Sequence, residues 1–325
     1  MVTKRHTATT YVVGAGASHH VGYPLISEMG TGLLDFMLKS SNPLYGRARN
    51  CLMDRFGQLP DMEDLITSLQ EKREGDLRGV VLEALPSWFR EIRKNPVPAY
   101  AALADKRVQP SDVVITFNYD DSLERELRRT GKWDISRGYG FPLGSAETSS
   151  DVVVLKLHGS VNWLASFLGG AVGGSTIVTS SGKTLGDQPV IDQVDLDSLG
   201  YTNFSGRVWK SGGALPCLVL PGRKKQFYYD TTSGLQFVEF WKLIWSQAAE
   251  ALQRSDRIVV CGYSMLPVDE DACDLLLRRP TKWAQVKIVS GDQGPRIAQD
   301  FEVAGFHSVE VFKGGCFEEW VEAEI

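Results

Sequence analysis

The chain has 325 residues, 43% hydrophobic and 23% charged, the make-up of a globular protein able to bury a sizeable core. Its net charge of −5 gives no electrostatic footprint for nucleic acid or an anionic membrane surface. The five cysteines (Cys51, Cys217, Cys261, Cys273, Cys316) are scattered without a Cys-x-x-Cys pair, which argues against a zinc ribbon or disulfide framework and for a reducing compartment. No apolar run is long enough for a signal peptide or a membrane span, so a cytoplasmic location is expected.

Tyr11-Val12-Val13 reads as a short buried strand, and Gly14-Ala15-Gly16-Ala17-Ser18 follows it. A run from Leu25 to Leu38 then has apolar residues at near-helical spacing. Strand, glycine turn and helix make a phosphate cradle, because glycine lets the backbone approach an anion and a helix N-terminus offers N–H donors. The pattern is Gly-x-Gly-x-Ser, not the dehydrogenase Gly-x-Gly-x-x-Gly, since His19 stands at the third glycine's place.

Residues from about Asn42 to Asn95 read as mostly helical. Leu65, Ile66 and Leu69 make one apolar stripe, and the stretch from Val80 to Ile92 makes another. Asp61 to Asp64 place carboxylates at a helix start, where the macrodipole favours them. Asn95-Pro96-Val97-Pro98 ends the segment, since prolines cannot continue a helix. Residues 41–98 are therefore expected to form a helical module inserted into an α/β domain made of 1–40 and 99–325.

Asp112 to Phe117 is the second strand, closed by Asn118-Tyr119-Asp120-Asp121 and followed by a helix over Ser122 to Arg129. Polar residues at the carboxyl end of a buried strand occupy the ligand-binding edge of an open α/β sheet, although a turn and helix cap explain one or two of them. Val152 to Leu157 is a third strand ending in His158-Gly159-Ser160, where the histidine is either a packing residue or a catalyst. Residues of about 166–213 read as an irregular insertion rich in Gly, Ser, Thr and Asp, with room for a hairpin. Cys217 to Pro221 restores a strand. The run Gly222-Arg223-Lys224-Lys225-Gln226-Phe227-Tyr228-Tyr229 is either a solvated loop or cationic help for a diphosphate. Further on come a helix over Phe237 to Leu252 and a strand over Arg257 to Cys261, which ends in Gly262-Tyr263-Ser264. Asp269 to Leu277 is helical, Val286 to Val289 is a strand ending in Ser290-Gly291-Asp292, and Ser308 to Phe312 is a last edge strand.

Gly14-Ala15-Gly16-Ala17-Ser18, Thr116-Phe117-Asn118-Tyr119-Asp120, Leu157-His158-Gly159-Ser160 and Gly262-Tyr263-Ser264 resemble the sirtuin motifs, in the same order. The chain is more similar to the bacterial sirtuin-like NAD+ hydrolase domains of anti-phage defence than to deacylases, from Tyr11 to about Asp292. It departs from the deacylases in having no zinc module with two Cys-x-x-Cys pairs, and in carrying Phe117 where they have Gln before the catalytic Asn.

The resemblance implies a Rossmann-like, mostly parallel sheet without a zinc module, and cleavage of the nicotinamide–ribose bond of NAD as substrate, with no metal. It implies catalytic roles for Asn118, His158 and Asp120, with Asn162 the nearest rival amide to Asn118. Gly14, Ala15, Gly16 and Ser18 would bind the diphosphate, with Gly262 and Ser264 near phosphate and ribose and Asp292 near the adenosine ribose. A gated NADase in abortive infection, assembled as a homo-oligomer with a HerA-type ATPase or a short Argonaute, follows from the same likeness, without membrane or direct nucleic-acid contact. The alternatives are a non-catalytic module binding NAD or ADP-ribose, and a protein deacylase.

Overall fold

The computed structural model describes residues 8–57, 61–72, 74–135, 138–140, 151–166, 190–193, 214–222, 238–266 and 269–323. At its centre lies β1 (Thr9–Val13), a run of β-branched and aromatic residues that are all buried, as a strand covered on both faces requires. It pairs in parallel with β2 (Val113–Thr116) on one side and with β7 (Arg257–Cys261) on the other. Beyond β2 lies β3 (Val153–Lys156), and beyond β7 lie β8 (Gln285–Val289) and β9 (Ser308–Val311), all parallel. The order β3-β2-β1-β7-β8-β9 is that of a doubly wound nucleotide-binding sheet. The chain winds outward through β2 and β3, then returns to the centre and winds the other way. A crevice therefore opens between the carboxyl ends of β1 and β7, where the winding reverses.

The connection from β1 to β2 carries most of the helices. After the single turn α1 (Ala15–Ser18) come α2 (Ile26–Lys39), α3 (Pro43–Phe56), α4 (Met62–Glu71), α5 (Gly75–Ile92) and α6 (Pro98–Ala102). The Asn42 side chain caps α3 by accepting from Leu44 N at 3.0 Å, and Asp61 caps α4 by accepting from Asp64 N at 2.9 Å. Helix α2 packs on α3, α4 and α5, so it shares the core of the module whose start the sequence pattern sets at residue 41. Pro86 lies inside α5 and removes one helical hydrogen bond just before the stretch that faces the site.

Two residues after β3 the chain leaves the main sheet. It enters an antiparallel sheet of order β5-β4-β6, formed by β4 (Gly159–Ser166), β5 (Val190–Gln193) and β6 (Ala214–Leu218). The turn depends on Gly159, which has φ +81°, and a Cβ there would lie 2.0 Å from the carbonyl oxygen of Cys217. The sequence pattern marks no strand between Ser160 and the insertion, where β4 runs. It also extends the Cys217 strand to Pro221, whereas β6 ends at Leu218. The basic run from Arg223 to Tyr229 and most of 166–213 lie outside the described residues.

Helix α7 (Ser122–Arg129) follows β2, and α8 (Val238–Arg254), α9 (Glu270–Arg278) and α10 (Gly294–Val303) alternate with the later strands. A last helix, α11 (Phe317–Glu322), packs against α6 and α1, and Arg107 Nη2 holds it by donating to the carbonyl of Trp320 at 2.8 Å. Among the described residues, no helix is long and apolar enough to cross a membrane.

Candidate functional site

A cavity of about 550 Å³ sits over the crevice, a size within the roughly 300–1,000 Å³ usual for small-molecule sites. Its floor is made by strand tips. The β1 turn gives Ala15, Gly16 and Ser18, the β2 tip gives Asn118 and Asp120, and the corner after β3 gives His158. The β7 tip adds Gly262 and Ser264. The outer wall was not legible in the motifs. It comes from the connection between β1 and β2 through Tyr23, Met29, Glu63 and Phe89, from Pro221, and from Phe317 of α11. No lysine or arginine lines the cavity among the described residues.

The glycines of the first turn serve the protein's own backbone. A Cβ on Gly14 would lie 2.5 Å from Tyr263 Cα, and one on Gly16 would lie 2.8 Å from the carbonyl oxygen of Gly262. Gly262, with φ +57°, has its own would-be Cβ 2.1 Å from Ala17 N. Gly14 N donates to Cys261 O at 2.9 Å, Gly16 N to Gly262 O at 2.8 Å and Ala17 N to Gly14 O at 3.0 Å. The two Gly-containing tips of β1 and β7 are thus locked together, and the N–H groups of Gly14, Gly16 and Ala17 are spent within the protein. Gly14 is buried and does not line the cavity. Helix α1 is a single turn, and the long helix α2 lies within one residue of the Leu25–Leu38 run marked by the sequence pattern.

Ser18 is fully committed as well. Its hydroxyl is 2.8 Å from Asp120 Oδ2, 3.0 Å from Asn118 Nδ2 and 2.7 Å from the Tyr100 hydroxyl. A hydroxyl has one proton and two lone pairs. The proton goes to the carboxylate, so Tyr100 must donate to Ser18. Burial, with the Asp120 charge nearby, pushes the Tyr100 phenol well above its usual range, so it keeps the proton it donates. The diphosphate role expected for the Ser18 side chain therefore has no donor left to perform it.

The same accounting defines Asn118. Its Nδ2 donates to Gly14 O at 2.9 Å and to Ser18 Oγ at 3.0 Å. A backbone carbonyl can only accept, which fixes the amide's orientation. Both N–H groups are spent, and Oδ1 is what Asn118 can offer a ligand: an acceptor for a water or hydroxyl proton. Asp120 is 4% exposed, and its second oxygen accepts from Ser122 N at 3.0 Å, so this carboxylate holds the loop.

His158 shares a rung with this tip. Thr116 of β2 is in register with Lys156 of β3, and Asn118 and His158 each stand two residues beyond that pair. The His158 ring meets the edge of Phe117 at 5.2 Å, and Phe117 in turn stacks on Tyr263 at 4.5 Å and 12°. The rings tie the tips of β2, β3 and β7 together under the cavity.

Below the floor lies a buried polar layer. Lys156 Nζ, with no exposed surface, donates to Glu124 Oε1 at 2.7 Å and also to the backbone carbonyl of Asp120. The Tyr139 hydroxyl donates to the same Glu124 oxygen at 3.2 Å, and Asn162 Nδ2 donates to that hydroxyl at 3.0 Å. Burial raises the Glu124 carboxyl above its usual range while Lys156 opposes the shift. Asn162, the rival amide, is thus 3% exposed, engaged with Tyr139 and absent from the cavity wall. Asp292 is exposed and does not line the cavity, although its neighbours Gly291 and Gln293 do. Among the described residues, no group of three or more His, Cys, Asp or Glu side chains is placed to hold a metal ion.

No known family matches the sequence, and no curated protein does. Solved structures do match in outline. A structure described as bearing on the mechanism and regulation of Sir2 enzymes is 17% identical, with 97% of this chain and 91% of that one covered at a TM-score of 0.41. A Sir2 homologue mutant bound to ADP-ribose is 15% identical over 92% of each chain at 0.38. A Sir2 protein bound to a propionylated peptide is 15% identical over 97% and 90% at 0.37. At such identities no residue role carries over, and the strand order and cavity stand on their own geometry.

Proposed function

We propose that this chain is an NAD+ hydrolase that cleaves the nicotinamide–ribose bond to give nicotinamide and ADP-ribose. The observation that carries the reading is that Asn118 and His158, each two residues beyond the Thr116–Lys156 pair, line one cavity together with Ala15, Gly16 and Ser18. A doubly wound sheet binds dinucleotides at that place. Sir2 proteins have been solved with ADP-ribose bound, which is consistent with the same ligand class.

The leaving group is a pyridinium that departs as neutral nicotinamide, so no acid is required. The transition state has oxocarbenium character, as in other glycosyl transfers. Asn118 Oδ1 accepts a hydrogen bond from the attacking water or a ribose hydroxyl and so orients it. His158 takes the water's proton as the C–O bond forms, and the products are nicotinamide, ADP-ribose and one proton. Asp120 acts behind them, through Ser18. The aromatic walls exclude bulk water from the reacting carbon.

Free NADase activity would exhaust the cell's own cofactor, so the enzyme is gated by self-assembly or by a partner, of which a HerA-type ATPase or a short Argonaute are candidates in anti-phage defence. The test incubates purified full-length chain with NAD, alone and with candidate partners, and separates products by chromatography with and without an acetylated peptide. Peptide-independent release of nicotinamide and ADP-ribose is expected. Peptide-dependent release would establish a deacylase. Tight NAD binding with no turnover in any assembly would leave a binding module.

A further inference from the structure

A fully buried lysine lies outside the cavity wall, yet one of its hydrogen bonds leads to the loop that lines it. Lys156 is the last residue of β3, and its side chain has no exposed surface. Taking an ammonium out of water is costly, and a buried ion pair can generally be replaced by apolar side chains without loss of stability. Stability therefore does not account for a lysine here, but the position it fixes does. Nζ reaches sideways from β3 to the loop after β2 and grips the backbone carbonyl of Asp120. Glu124 holds the ammonium in place at 2.7 Å, and it is held in turn by Tyr139 and Asn162.

From the gripped peptide the chain of bonds is short. The Asp120 carboxylate takes the Ser18 proton at 2.8 Å, and Ser18 takes the Asn118 amide at 3.0 Å. We propose that Lys156 is a positioning residue for the NAD-cleaving site, setting the height of the Asn118–Asp120 tip and so the place of Asn118 Oδ1. The proposal rests on the NAD-hydrolase reading above. His158 follows Lys156 by two residues, so one strand end carries both the proton acceptor and the anchor of its partner.

The test removes both charges together, as Lys156→Met with Glu124→Leu, so that neither is left buried alone. Lys156→Gln with Glu124→Gln serves if the first pair does not fold. The full-length protein is compared by thermal midpoint, NAD dissociation constant and steady-state kinetics. It is also compared by the NMR signals of the Asn118 side-chain amide, identified by their loss in Asn118→Asp. The expected result is an intact fold, NAD affinity within about threefold, and kcat lowered by about 10–100-fold, the scale for a misplaced catalytic group. The Asn118 amide signals should shift, and their protons should exchange faster with solvent. A folded double variant with parental kcat and unmoved amide signals overturns the proposal. If the parent cleaves no NAD in any assembly, the hydrolase reading fails by itself, and the amide signals still decide whether Lys156 places Asn118.

Discussion

The Asn118 side-chain amide donates to Ser18 Oγ at 3.0 Å, across 100 residues of chain, and this bond joins the tips of β1 and β2. Ser18→Ala removes that acceptor together with the proton given to Asp120 and the partner of Tyr100. A buried carboxylate oxygen and a phenol are then left short of partners, which costs about 1–3 kcal/mol each before relaxation. The variant should lose stability in urea titration. Its kcat should fall more than its NAD affinity, since Ser18 has no donor for the diphosphate. Weakened NAD binding with unchanged kcat would return Ser18 to the role of a phosphate ligand.

His158 is placed to accept a proton, and positioned general bases are worth about 10²–10⁴ in rate. His158→Ala should therefore bind NAD with near-parental affinity in calorimetry and lose turnover on that scale. Undiminished hydrolysis would remove the imidazole from the mechanism and leave it as the edge partner of Phe117.

How much of this was legible differs by residue. The parallel core strands announce themselves, because Tyr11-Val12-Val13 and Ile258-Val259-Val260 are continuous apolar runs with polar punctuation at one end. Helix α7 begins and ends where its sequence pattern puts it, at Ser122 and Arg129. What local pattern hides is the use of a residue. Gly14 and Gly16 look like an anion loop, but their missing Cβ atoms make room for the Gly262–Tyr263 backbone, some 250 residues away. Phe89 sits in an apolar stripe like any core residue, and only the fold makes it a wall of the cavity. The Lys156–Glu124 pair was invisible for the same reason: a lysine at a strand end and a glutamate in a helix are each ordinary alone.

Gly262 is the tightest of these positions. It combines φ +57° with a would-be Cβ 2.1 Å from Ala17 N, so alanine meets both backbone strain and overlap with main chain. Gly262→Ala should destabilise the protein by roughly 2–5 kcal/mol, the sum of a left-handed penalty and overpacking. Alanine at Gly131, also at positive φ but with open space around its Cβ, provides the control. Its loss should be only about 1–2 kcal/mol by denaturant melt. Equal losses at the two glycines would deny that the β1 and β7 tips are packed backbone to backbone.

Arg93, near the end of α5, donates from Nε to both oxygens of Asp121 at 2.9 and 3.0 Å, with both side chains under a tenth exposed. The Arg93 carbonyl accepts from Arg125 at 2.6 Å, so the helical module is bolted to the loop that carries Asn118. Removing one partner of a buried pair costs about 3–5 kcal/mol. Arg93→Met should approach that loss, and Arg93→Met with Asp121→Leu should recover most of it. A double variant no more stable than the single would place the cost elsewhere in the helix.

His20 gives the pH dependence. Its ring packs between Tyr100 and Phe317, with centroids 5.6 and 6.2 Å away. Its Nδ1 lies 2.9 Å from Ala17 O, a group that can only accept, so the neutral ring carries its proton on Nδ1. Nε2 is buried with no hydrogen-bond partner among the described residues, and a second proton there would be unsatisfied. Burial accordingly pulls the pKa below the ordinary 6.5, against the opposing pull of Glu318, the Ala17 carbonyl and Asp120. The unfolded chain then binds more protons at this site than the folded one. The contribution of neutral His20 is fully present above pH 6.5 and is lost as the pH falls through the lower folded value. His20→Phe keeps the ring and removes the titration, so its urea midpoint should change less than the parent's between pH 7 and pH 5. Parallel slopes for the two proteins would assign the acid loss to other groups.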